Sequence, residues 1–229
     1  MRIVVFGLSM SSSWGNGHAT LWRSLAVALE RAGHQLVFFE RDQPYYAEHR
    51  DAPAPRGCEL VLYERWGDVA SHAAAELRWA DAAIVTSYCP DALAASRLVL
   101  GCHALARAFY DLDSPVTLAK LERGEDVPYL PPEGLADFDV VLSYAGGRTL
   151  RELERRLGAR RVVPLHGSAD GAHYRRVDAD PDLACDLSYL GTYGEDRRGP
   201  PEKLFLAPAA PAPERQFPPA GVPHPPHFP

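Results

Sequence analysis

MRIVVFGLSMSSSWGNGHATLWRSLAVALERAGHQLVFFERD, residues 1–42, decides the fold. A β-branched run, Arg2 to Phe6, stops at Gly7, and a loop rich in Ser and Gly follows. An amphipathic helix begins near His18, with Leu21, Leu25, Ala28 and Leu29 at helical spacing and Arg23, Glu30 and Arg31 turned outward. Gly33 caps that helix, and a second apolar run, Gln35 to Phe39, closes at Glu40. Strand, loop, helix, strand is a βαβ unit. The near-continuous apolar character of its first strand fits a central parallel strand covered on both faces. In such open sheets ligands sit beyond the carboxyl ends of the strands, so the first loop is where function is sought.

The same alternation continues along the chain. Leu60 to Tyr63, Ala82 to Thr86, Ala106 to Tyr110, Asp139 to Ser143 and Arg161 to Leu165 read as strands. Val69 to Trp79, Ala92 to Gly101, Pro115 to Arg123 and Thr149 to Leu157 read as the helices between them. The pattern predicts an α/β fold, a doubly wound parallel Rossmann-like sheet with right-handed crossovers, over residues 1–168. Residues 169–198 are expected to form a linker and the first strand, Asp186 to Leu190, of an incomplete second domain. Proline makes up about a third of the last 30 residues, against an average of about 5%, so 199–229 is expected to be an extended or disordered tail.

The 229 residues are 46% hydrophobic, ample for a packed core. A formal charge of −6, with Arg and Glu spread evenly, predicts no nucleic-acid partner. Cys58, Cys89, Cys102 and Cys185 show no CxxC pair and are expected to be buried free thiols. No stretch approaches the roughly 18 apolar residues of a membrane span, and no signal peptide is evident, so the cytoplasm is the expected location.

Five groups of residues carry candidate chemistry. Ser13, Trp14, Gly15, Asn16 and Gly17 offer hydroxyls, close backbone approach and a helix N-terminus to a polar substrate, Trp14 by stacking. The alternative is a polar loop whose Ser and Asn cap the helix. Gly15, Gly17 and Thr20 with Glu40 make a weak dinucleotide fingerprint, because the first glycine lies well past the strand end. His18, at both loop and helix start, is a candidate general base, resembling in position the base that follows the first strand of plant-type sugar transferases. Asp111 and Asp113 end the fifth strand, where they would orient His18, ligate a metal or cap the next helix. Ser87–Tyr88 and Ser143–Tyr144 repeat one pattern, a strand followed by Ser-Tyr, and are candidate substrate contacts. In LSYLGTY, Gly191, Thr192 and Tyr193 follow a strand and would meet a nucleotide diphosphate if that strand opens a second domain; the alternative is a lone terminal strand added to the first sheet.

Together, SSSWGNGHATLWRSLAVALERAGHQLVFFERDQPYYAEHRD, TSYCPD, FYDLDSPVTLAKLERGE, DFDVVLSYAGG and DLSYLGTYGEDR resemble the CgeB family of spore-maturation-type glycosyltransferases, from Met1 to about Arg198. The resemblance implies a GT-B arrangement of two Rossmann-like domains, acceptor mostly on the amino-terminal one and donor mostly on the other. It implies transfer of a sugar from a nucleotide-sugar donor, a co-substrate, to a sugar or other hydroxyl-bearing acceptor, with no metal and no further cofactor. His18 and Asp111 are then the catalytic pair. Nothing after Arg198 matches a donor loop, so the competing expectation is a non-catalytic Rossmann-like module that binds a small ligand.

Overall fold

The computed structural model describes residues 1–190, 199–209 and 219–220. The chain divides into two compact units, Met1–Tyr174 and Arg175–Pro229. The first is a seven-stranded parallel sheet of β1 (Arg2–Gly7), β2 (Gln35–Arg41), β3 (Glu59–Tyr63), β4 (Ala82–Thr86), β5 (Ala106–Asp111), β6 (Val140–Ser143) and β7 (Val162–Pro164), ordered β3-β2-β1-β4-β5-β6-β7. The sequence order reverses between β1 and β4. That is the switch point of a Rossmann-like sheet, beyond whose strand ends such folds bind their ligands.

Strand alternation divides the core in two. Ile3, Val5, Leu36, Phe38 and Tyr110 face α1 (Gly17–Arg31), which buries Leu21, Trp22 and Ala26 against them. Ala28, expected on this face, is exposed, although Leu25 and Leu29 on either side of it still pack against the sheet. Val4, Phe6, Val37, Phe39, Val85 and Phe109 face the opposite side. There they meet α3 (Trp66–Leu77), α4 (Ala92–Leu100) and α6 (Arg148–Leu157), with α5 (Ser114–Glu122) at the margin. Completing that side is residues 124–138, which contain no regular element yet bury Val127, Tyr129, Leu135 and Phe138. A short helix, α2 (Pro44–Ala47), was not foreseen.

The second unit, by itself, holds a turn at Pro181–Leu183 and a strand Tyr189–Leu190 paired in parallel with Pro219–Ala220. Helical turns run through residues 199–209, where the sequence predicts an extended tail. Pro200 and Pro201 fall in the first turn, where the missing N–H costs no hydrogen bond, and Phe205 is buried. All four cysteines are free, but only Cys89 is buried and Cys185 is exposed. Among the described residues no helix is long and apolar enough to cross a membrane.

Candidate functional site

The loop after β1 is tied from below by one carboxylate. Glu40, fully buried at the end of β2, accepts hydrogen bonds from the Met10 N–H (2.6 Å), the Ser11 N–H (2.9 Å), Ser9 Oγ (2.9 Å) and Ser11 Oγ (2.5 Å). Both oxygens are thus spent on the loop, and none is left for the ribose that a dinucleotide fingerprint requires. Ser12 Oγ donates to the His49 carbonyl at 2.8 Å. Asp51 takes the Ser13 N–H and hydroxyl (2.9 and 2.6 Å) and both ends of the Arg23 guanidinium (3.0 and 2.6 Å). Those bonds hold the Asp51 carboxyl well below the usual carboxylate range.

Asn16 serves the helix rather than a ligand. Its Oδ1 caps α1 by accepting from the His18 N–H at 3.0 Å, and its Nδ2 donates to the Ser9 and Ser12 carbonyls. Gly15 takes φ +58°, and a Cβ there would stand 3.0 Å from the Tyr45 hydroxyl. Gly17 faces open space. Trp14 is 44% exposed and stacks on His49, centroids 4.6 Å apart and planes 7° from parallel.

Beside this closed loop lies a less satisfied cluster. The His18 imidazole rests against the ring of Tyr88 from the loop after β4, 5.6 Å between centroids. Its Nδ1 is buried without a hydrogen-bond partner among the described residues. Burial pushes the imidazole down to about 4, so it is neutral at pH 7 with a lone pair available. Tyr88 is the one non-glycine residue at positive φ (+63°) among the described residues, a conformation that costs a bulky side chain about 1–3 kcal/mol. Its ring packs on Tyr129 at 4.9 Å and its hydroxyl donates to Asp113 Oδ2 at 3.2 Å. Such strain persists only where surrounding contacts impose it.

Asp111 closes β5 with no exposed surface. Its Oδ1 accepts from the Asp113 N–H at 3.0 Å, while Oδ2 has no hydrogen-bond partner among the described residues. Burial raises its carboxyl above the usual carboxylate range. The expected hydrogen bond between His18 and Asp111 is therefore absent: Asp111 is folded into the turn leading to α5, and His18 is held against Tyr88. Nor do Asp111 and Asp113 share a strand face, because β5 ends at Asp111. Asp113 occupies the cap position of α5 without a side-chain cap bond. Among the described residues no group of three or more His, Cys, Asp or Glu is placed to hold a metal ion.

The two Ser-Tyr pairs diverge between their halves. Ser87 Oγ accepts from the Leu112 N–H at 2.9 Å, and Ser143 Oγ is bonded to Ser114 Oγ at 2.8 Å, so both serines brace the turns after β5. Tyr144 is 46% exposed and its carbonyl accepts from His166 Nδ1 at 2.7 Å. Sequence reasoning missed Thr117 and Tyr129, whose hydroxyls bond at 2.8 Å under Tyr88, because Tyr129 lies in residues 124–138, which have no period to place it against Thr117 of α5. Gly191, Thr192 and Tyr193 lie outside the described residues.

No family model and no curated protein matches the sequence. Solved structures match the fold. An α-glucosyltransferase in complex with UDP-glucose and DNA containing an abasic site aligns with TM-score 0.50 and 15% identity over 91% of this chain. An α-glucosyltransferase in complex with UDP and a 13-mer DNA containing a HMU base aligns with TM-score 0.52 and 14% identity over 91% of this chain. The chain spans 55% of the length of each. Both likenesses place it among Rossmann-like α/β folds of the kind glycosyltransferases use. They also correct the exclusion of nucleic acid drawn from net charge: both neighbours are held in complexes with DNA, so an even spread of charge does not exclude that partner class for the fold.

Proposed function

We propose that the chain transfers a sugar from a nucleotide-sugar donor to an acceptor hydroxyl, its Met1–Tyr174 unit being the acceptor-side domain of a CgeB-like, GT-B-type glycosyltransferase. The observation that carries this reading is the buried, unpartnered Nδ1 of His18 beside the strained Tyr88, at the switch point of the sheet. An imidazole kept neutral by burial accepts a hydroxyl proton once the developing imidazolium is stabilised. A donor diphosphate brought close does this, since a nearby negative charge raises the imidazole's basicity against the desolvation that lowers it. His18 is thus a weak base in the free protein and a stronger one with donor bound.

Asp111 acts separately from His18 in this account. It braces the turn that carries Asp113, the Tyr88–Asp113 pair meets the acceptor's remaining hydroxyls, and the exposed ring of Trp14 stacks on the acceptor's ring. Gly191, Thr192 and Tyr193 are assigned to the donor on their sequence context alone. The nucleotide sugar is a co-substrate, and no metal enters the reading. The acceptor class extends to DNA, as both neighbours are held with DNA.

The test incubates the protein with UDP-glucose and either free sugars or DNA containing a HMU base, measuring UDP released with and without acceptor. Acceptor-dependent release is expected. If no nucleotide sugar is consumed and none raises the melting temperature, the reading fails.

A further inference from the structure

A concavity of the first unit lies against α1, and none of His18, Tyr88 and Asp111 lines it. It is a cleft of about 410 Å³, within the size range of small-molecule sites, on the outward face of α1. Its other walls are residues 52–56 and residues 170–174 of the same unit.

Both of those walls are fastened to α1 or to the loop before it. Gly57, at φ +72°, lies so close to the helix that a Cβ would stand 2.5 Å from the Ala26 carbonyl oxygen, which no other residue type could tolerate. The Ala52 N–H donates to the Ser11 carbonyl at 2.9 Å. From the opposite side the Asp170 N–H donates to Ser24 Oγ at 3.1 Å. The cleft is therefore formed before any ligand arrives.

Its charge is unbalanced. Arg23 is neutralised by Asp51, bound through both carboxylate oxygens. Arg31 shares Asp170 at 3.7 Å, and that carboxylate also accepts the Ala172 N–H. Arg56 forms no ion pair or hydrogen bond among the described residues, and His173 stands on the facing wall. Val27, Pro55 and the half-exposed ring of Tyr174 give the cleft an apolar side. Guanidinium groups are matched to phosphate oxygens in fork geometry, and an apolar wall suits a compact ring.

We propose that this cleft binds a small phosphomonoester, its phosphate on Arg56 and Arg31 and its ring, of a sugar or a nucleoside, against Val27, Pro55 and Tyr174. The site shares no lining residue with His18, Tyr88 and Asp111 and does not depend on the transfer reaction.

Calorimetric titration of the full chain tests it with uridine 5′-monophosphate, glucose 6-phosphate, inorganic phosphate, uridine and glucose. At least one ester should bind more tightly than inorganic phosphate, the tighter ester naming the ring, while uridine and glucose bind about tenfold more weakly or not at all. Arg56→Gln should weaken binding about tenfold with an unchanged melting temperature, the loss of one charge-assisted contact. Val27→Glu, which puts a carboxylate in the cleft, should abolish it. His18→Ala should leave the affinity unchanged. The proposal is overturned if neither ester binds, if Arg56→Gln or Val27→Glu binds as the parent does, or if His18→Ala loses binding equally.

Discussion

The loop after β1 and the cluster after β4 and β5 stand side by side, yet their polar groups are in opposite states. In the loop, Ser9, Ser11, Ser12, Ser13 and Asn16 all have partners supplied by Glu40, Asp51, His49 or the loop's own backbone. In the cluster, His18 Nδ1 and Asp111 Oδ2 have none among the described residues, and Tyr88 is held in a costly conformation. A buried polar atom without a partner costs about 1–3 kcal/mol, and of the four such atoms among the described residues two, His18 Nδ1 and Asp111 Oδ2, fall in this cluster, the others being Trp22 Nε1 in α1 and Ser96 Oγ in α4. A serine-rich loop resembles a binding loop in sequence, but here its hydroxyls are used to make the loop rigid. Ligand capacity lies in the neighbouring side chains that this rigid loop positions.

The largest expected effect comes from the carboxylate under the loop. Glu40→Ala leaves four donors without an acceptor and should lower stability by about 3 kcal/mol or more in urea unfolding. A loss below about 1 kcal/mol would mean that the loop is not held from below. His18→Gln sharpens the other side of the comparison through pH. The folded imidazole is depressed to about 4 from an ordinary 6.5, so its contribution to stability is complete above pH 6.5 and is lost as pH falls towards 4. The variant should therefore flatten the stability profile in that window, measured by unfolding at a series of pH values.

Asp111 has the opposite sign. Its folded carboxyl titrates above its unfolded value, so the stability it contributes is present at low pH and falls as pH rises past the unfolded carboxylate range. Asp111→Asn should accordingly gain stability relative to the parent at pH 7 and lose that advantage at low pH. Asp51→Ala should have the smallest effect, about 1 kcal/mol or less, because the Asp51 side chain is 48% exposed and solvent screens its pair with Arg23.

The arrangement β1-α1-β2 is legible because apolar runs and helical spacing are dictated by burial, which acts on every residue of an element. The strands of the first unit fall where the pattern puts them, within a residue or two at their ends. Residues 124–138 are not legible as core, since Val127, Tyr129, Leu135 and Phe138 reach it from irregular backbone. The candidate site divides the same way. The placing of His18 and Asp111 at the carboxyl ends follows from topology, whereas their pairing required a side-chain direction that sequence does not carry. The positive φ of Tyr88 has no sequence signal either, because such positions are read from Gly or Asn, and the contacts that force it come from Asp113 and Tyr129, far along the chain. Glu40 was visible as an acid at a strand end, but its four bonds depend on a loop conformation that only the folded chain defines.

The contrast between the two regions is tested most directly by acceptor-dependent sugar transfer in His18→Ala and Ser13→Ala, measured together against the parent. The account predicts that His18→Ala lowers turnover by about 10²-fold, the scale of lost general-base catalysis, while Ser13→Ala changes it by less than about threefold. Equal losses in both variants, unchanged turnover in His18→Ala, or no transfer by the parent with any acceptor would contradict it.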